Sequence, residues 1–295
     1  MIKSSELGWG TERMAAIKPS TYTFAMHIKR YLFALDHIKG AHVLDAACGA
    51  GYGTYFMAQN GADKVYGIDI SGEAIRFAED FYKADNLEFR VMDLCALDFA
   101  RCSFDTIISF ETIEHLDRPQ KCLREVARVL EPSGVAVISA PNEEGRKNVN
   151  NPFHLRKFNY ESFARLIGSY FREYEIFYQY VPSYDEIRNL GSNGEIDFEL
   201  PLRFKLTRIA RIVGLHRIFS CNAKLFLAAK VENMLARLSG RATFTGTNFW
   251  NFIKSNASLL RMFEIKKIGI DETKVRKGSL IAVAHLPIRN MSFYE

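Results

Sequence analysis

Glu111, Glu114 and His115 stand in the run F-E-T-I-E-H-L, so two carboxylates and an imidazole leave the end of one predicted strand within a few residues. If the turn there is helical, the three can converge on one divalent cation, carboxylate oxygens suiting hard ions and imidazole softer ones. His154, in NPFHLRKFNYESF, follows the next predicted strand and precedes a helix, and supplies a fourth ligand. Metal binding is not the only use of such a set. A histidine can also serve as a general base near neutral pH, and Glu114 with His115 can simply shape their loop through hydrogen bonds.

A second group of residues has the spacing for nucleotide chemistry. VLDAACGAGYGT closes an apolar run with Gly49, Gly51 and Gly53, residues that permit either a sharp turn or the close approach of a ligand to the backbone. The pattern is G-x-G-x-G, with Thr54 where a dinucleotide fingerprint needs its third glycine, so a nicotinamide-type reading loses ground. Asp69 closes the next run, where a carboxylate can take both hydroxyls of a ribose; Asp69 and Ser71 equally suit the cap of the following helix. Asp93 closes a third run, where it can accept from an exocyclic amine while the backbone of Leu94 faces a ring.

These groups need a scaffold that brings strand ends to one edge. Strand-length apolar runs occur at 41–47, 64–70, 87–94, 104–110, 134–141, 171–180 and, after a gap of roughly a hundred residues, 279–287. Helical segments such as EAIRFAEDFYKA, PQKCLREVARVL and YESFARLIGSY lie between them, and strict alternation of strand and helix implies right-handed βαβ units and a parallel sheet. Ahead of the first strand, residues 20–38 place Phe24, Ile28, Tyr31, Leu32 and Leu35 on one helical face. Within the long gap, LRFKLTRIARIVGLHRIFS and NAKLFLAAKVENMLARLSG read as two amphipathic helices with basic polar faces. The expected organisation is therefore an arm and helix (1–39), a nucleotide-binding domain (40–181), a helical insertion that caps the acceptor (182–275), and a last strand that completes the sheet (276–295).

Bulk properties narrow the class. With 48% apolar and 25% charged residues, the chain is globular in composition. Five cysteines without CxxC spacing suggest reduced thiols in a cytoplasm. The N-terminus has no apolar signal region, and no run is long enough to span a bilayer. The net charge of +5 is uneven, because acids outnumber bases before residue 150 and bases outnumber acids after it. A basic second half suits an anionic acceptor or an approach to an acidic membrane face, although lysines and arginines facing water would give the same count.

VLDAACGAGYGT, VYGIDIS, FRVMDL and FDTIISFETIEHLDRP together resemble the successive motifs of class I methyltransferases that use S-adenosylmethionine (SAM), over roughly residues 40–180. The resemblance implies an α/β enzyme of Rossmann-like fold, with a seven-stranded, mostly parallel sheet, helices on both faces and an antiparallel last strand. It also implies SAM as the cofactor, held by Asp45, Gly49, Gly51, Asp69, Ile70, Asp93, Leu94 and Glu111: Gly49 and Gly51 around the methionine, Asp45 supporting its amino group, Asp69 on the ribose, Asp93 and Leu94 on the adenine. Glu111, Glu114, His115 and His154 are similar to the magnesium-type site of the small-RNA 2′-O-methyltransferases and the ubiquinone-pathway O-methyltransferases, in which an ion holds two neighbouring hydroxyls. His154, His115 and Glu111 are accordingly the expected catalytic residues. An arm with Trp9, Glu12 and Arg13 can fold over the cofactor or stand as a frayed terminus, and Phe244, Phe249, Trp250 and Phe252 can stack on a sugar or base or belong to the core.

The expected activity is O-methylation of a sugar, glycan or other small hydroxylated acceptor, phosphate-bearing or lipid-linked, as in cell-surface polysaccharide biosynthesis. The segment PNEEGRKNVNNPFHLRKF is similar to that of methyltransferases associated with such polysaccharides. RNA 2′-O-methylation is the alternative, disfavoured by a pI near 8.8 and by the lack of a separate RNA-binding module. A SAM-binding partner without chemistry is the third. The expected location is cytoplasmic, with peripheral contact at the inner membrane face as an option.

Overall fold

The computed structural model describes residues 21–38, 42–143, 153–182, 186, 257–268 and 278–287. The chain divides into two compact units, Met1–His27 with Ser183–Leu260, and Ile28–Pro182 with Arg261–Glu295. The second unit contains the sheet.

Helix α1 (Thr21–Leu35) precedes strand β1 (His42–Ala46), followed by α2 (Tyr52–Ala58), β2 (Lys64–Asp69), α3 (Gly72–Phe81), β3 (Leu87–Val91) and β4 (Phe104–Ser109). A short 3-10 turn (Ile113–His115), α4 (Pro119–Val129), β5 (Leu130–Asn142), α5 (Tyr160–Gly168) and β6 (Phe171–Tyr180) come next. Helix α6 (Ala257–Met262), β7 (Ile265–Lys267) and β8 (Gly278–Pro287) complete the described elements.

One eight-stranded sheet has the order β3-β2-β1-β4-β5-β8-β6-β7. Strands β1 to β5 pair in parallel, and β8 enters antiparallel between β5 and β6. Seven strands coincide with the expected runs. The eighth, β7, pairs antiparallel with β6 inside the segment assigned to the insertion. Three residues are too few for a period-two pattern to register, so the sequence carried no sign of it.

The inner strands have neighbours on both sides and are buried almost throughout, which is why their apolar runs do not alternate. Leu44, Ile107 and Ile138 from the sheet, Leu123 and Val126 from α4, and Phe163 and Ile167 from α5 share one core and are nearly or wholly buried. Each buried Leu or Ile contributes roughly 2 kcal/mol. Helix starts follow local chemistry. Pro119 opens α4, and Asn159 with Ser162 forms a reciprocal capping box at α5.

Because β1 to β6 run the same way, their carboxyl ends and the start of β8 share one edge. The register sets Asp69 beside Val91, Asn142 beside Gly278 and Gln179 beside Ser279.

One expectation is corrected. Cys95 and Cys122 are joined in a disulfide, where reduced thiols were expected, tying the turn after Asp93 to α4. The two cysteines are far apart in the chain and meet through packing, which spacing rules do not capture. Cys48 and Cys102 are free thiols, and Cys221 lies outside the described residues. So do the two basic helices expected between 202 and 241, the arm with Trp9, Glu12 and Arg13, and the aromatic residues Phe244, Phe249, Trp250 and Phe252. Among the described residues, no helix is long and apolar enough to cross a membrane.

Candidate active site

The turn after β1 is built around Asp69. Its Oδ2 accepts from the backbone N–H of Gly49 at 3.0 Å and its Oδ1 from that of Ser71 at 2.8 Å, so one carboxylate couples the ends of two neighbouring strands. The helix cap itself falls to Ser71, whose hydroxyl accepts from Ala74 N.

The three glycines divide by function. Gly49 has φ +57° and nothing within 4 Å of where a Cβ would stand, leaving its backbone open to a ligand. A Cβ on Gly51 would stand 2.6 Å from Ala78 Cβ, and one on Gly53 would lie 1.9 Å from the Tyr31 ring. The latter two glycines are thus required by packing within the protein. Asp93 is exposed with its Oδ1 on Cys95 N at 2.8 Å, and Leu94 is buried. Ile70 is 67% exposed and Val91 58%, leaving apolar surface beside Asp69 at the end where a nucleobase would lie.

Asp45 lies beneath this turn. It is buried, with its Oδ2 accepting from Thr54 Oγ1 at 2.7 Å and from Tyr31 OH at 3.3 Å. Burial pushes its carboxyl up to about 7, against the opposing pull of the Thr54 and Tyr31 hydrogen bonds. Burial also raises the Tyr31 phenol and the Cys48 thiol, with the Asp45 charge adding to both. Tyr31 was read from the sequence as part of an apolar helical face; its hydroxyl gives it this second task.

The candidate residues that follow β4 and β5 separate into two clusters. Glu114, His115 and His154 each bring a ligand atom within 4.8 Å of the others, as the helical turn at 113–115 allows. His115 Nε2 is 3.7 Å from Glu114 Oε1, and the two imidazole rings are 5.0 Å apart. His115 Nδ1 bonds the carbonyl of Phe153 at 3.0 Å, and His154 Nδ1 bonds Glu143 Oε1 at 2.6 Å. Backbone contacts hold this arrangement: Arg156 N donates to Glu114 O and Glu143 N to Phe158 O.

Glu111 stands apart from that group. Its backbone adopts φ +49°, a region costing a non-glycine residue on the order of 1 kcal/mol. Its N–H donates to Ser139 O and Oγ, while its Oε1 accepts from Ser139 Oγ at 2.8 Å and its Oε2 from Ser279 Oγ at 3.1 Å. Both carboxylate oxygens therefore accept from serines, one on β5 and one on β8. Glu143, Ser139 and Ser279 were not singled out in the sequence; the only sign of Glu143 was its place directly after a strand end. A cavity of about 380 Å³ lined by His42, Tyr66, Phe104 and Asp105 lies at the opposite, amino end of the strands, away from these groups.

Residues 44–138 match the family model of a methyltransferase domain. A Mycolicibacterium smegmatis protein named as a SAM-dependent methyltransferase is 30% identical over 162 residues, which cover 54% of this chain and 62% of that one. The ubiquinone biosynthesis O-methyltransferase of Coxiella burnetii is 32% identical over 115 residues, 38% of this chain and 49% of that one. The chain thus spans about half to three-fifths of the length of these relatives. Among solved structures, a chain of the complex between the Haloferax volcanii Trm112 methyltransferase activator and a methyltransferase superposes with a TM-score of 0.53 at 17% identity, covering 91% of this chain and 93% of that one, a likeness of fold. The glycine turn, Asp69 and Asp93 lie inside the segment that is similar to a methyltransferase domain.

Proposed function

We propose that the protein is a SAM-dependent methyltransferase that methylates a hydroxyl oxygen of a small polyhydroxylated acceptor such as a sugar or glycan. The observation that carries this reading is the half-buried His154–Glu143 pair, set with Glu114 and His115 at the strand edge that also holds the glycine turn. An oxygen nucleophile has a proton to lose, and a histidine oriented by a carboxylate is a group that takes one.

When bound, SAM supplies a methyl group on a sulfonium, open to in-line displacement. The open backbone of Gly49 and the Asp69 carboxylate would hold its amino acid and ribose ends, with Ile70 against the base. With Nδ1–H donated to Glu143, His154 keeps its lone pair on Nε2, and it is there that the acceptor's proton would go.

The same geometry fits a divalent cation. Phe153 O and Glu143 engage the Nδ1 atoms of the two histidines, the outer contacts that metal-binding histidines have, and a cation would be held by His115, His154 and a Glu114 oxygen. Two imidazoles and one carboxylate suit a first-row transition ion or zinc better than magnesium. Such an ion would lower the pKa of a bound hydroxyl and orient it. Supplied with SAM and a panel of nucleotide sugars, glycans and catechols, the purified protein should release S-adenosylhomocysteine with at least one, and the His154→Ala variant should not. Release with none of them by a protein that binds SAM would remove the O-methylation reading.

A further inference from the structure

Arg30, on α1, has no exposed surface, yet among the described residues one of its three guanidinium nitrogens is engaged. Nη1 donates to Gln179 Oε1 at 2.6 Å and to Ser279 Oγ at 3.3 Å, and the guanidinium carbon lies 6.0 Å from the centre of the Phe110 ring. Nε and Nη2 are buried and meet no acceptor among the described residues. A guanidinium remains charged at any physiological pH, and a buried charge without an anion is strongly disfavoured. The carboxylate drawn toward it, Glu111, is one hydroxyl removed, since Ser279 accepts from Arg30 and donates to Glu111 Oε2.

The two idle nitrogens are not an arbitrary pair. Nε–H and one Nη2–H point the same way along one edge of the planar group, the arrangement that grips a carboxylate or phosphate with two parallel hydrogen bonds. Shielding from water strengthens such a contact. Gln179 lies next to the end of β6 and Ser279 next to the start of β8, both on the far side of β5 from the glycine turn and Asp69. The subsite therefore lies on the acceptor's side of the edge.

We propose that the Nε–Nη2 edge of Arg30 anchors an anionic group, carboxylate or phosphate, carried by the acceptor. The proposal rests on the methyltransferase reading for what the anion is attached to. It makes Arg30 a determinant of acceptor class, with Gln179 and Ser279 fixing the orientation of the fork and Glu111 balancing its charge when the acceptor is absent.

The full chain is compared with Arg30→Met and Arg30→Lys, measuring binding of S-adenosylhomocysteine, then of inorganic phosphate and of acetate to protein saturated with it. The wild type should bind at least one of these anions saturably. Arg30→Met should weaken that binding about 10-fold or more and Arg30→Lys partly, with S-adenosylhomocysteine affinity changed less than about twofold. Arg30→Met should also melt no lower than the wild type without ligand, because it removes a buried charge; Arg30→Lys, which keeps that charge, serves if Arg30→Met does not fold. Anion binding equal in all three proteins, or absent from the wild type, overturns the subsite. So does an Arg30→Met variant that loses affinity for SAM but not for decarboxylated SAM, which would place the methionine carboxylate on Arg30. Failure of the wild type to bind S-adenosylhomocysteine would instead count against the methyltransferase reading.

Discussion

His154 Nδ1 and Glu143 Oε1 are 2.6 Å apart, with 11% and 7% of their side chains exposed. The contact selects the ring nitrogen that remains for chemistry. Glu143→Ala should lower kcat roughly 10- to 100-fold while the affinity for SAM holds. Glu143→Gln should recover part of the loss, because its amide oxygen still accepts from Nδ1–H. Isothermal titration beside steady-state kinetics checks both, and an equal loss of SAM affinity would contradict the positioning role.

Metal content separates the two acidic residues that sit close together in the sequence. Glu114→Gln, His115→Ala and His154→Ala should each abolish bound divalent metal in elemental analysis, and Glu111→Gln should retain it, because Glu111 is outside the group whose ligand atoms converge. If a metal is used, a chelator should stop turnover and leave S-adenosylhomocysteine binding intact.

The glycine turn should respond in opposite ways at two positions. Gly53→Ala drives a methyl into the Tyr31 ring and should destabilise the fold by about 1–3 kcal/mol, read as a lowered denaturation midpoint. Gly49→Ala meets no protein atom, so its stability cost is limited to the left-handed backbone, about 1 kcal/mol. Its main effect should be a loss of SAM affinity.

Asp45 gives stability a defined pH dependence. Its carboxyl is pushed up to about 7 in the folded chain, above the unfolded value near 3.9, so the native state holds a proton that the unfolded state has released. Between about pH 4 and 7 this group's contribution therefore falls as pH rises, and it is fully present only below about 4. Asp45→Asn should flatten that part of the stability curve, as urea titrations at a series of pH values would show.

The strand ends were legible from the sequence because their signals are local. An apolar run, a glycine turn and an aspartate at the run's end are adjacent in the chain, so VLDAACGAGYGT and VYGIDIS carried both the fold and the placement of Gly49 and Asp69. Partners far apart in sequence were another matter. Whether Glu111 or Glu114 joins the histidines depends on a backbone at φ +49° and on serines from β5 and β8. Arg30 reads as an ordinary polar position on an amphipathic helix until the ends of β6 and β8 meet it. Periodicity specifies which face of an element is apolar; only the order and register of the sheet decide which polar groups are brought together and shut off from water.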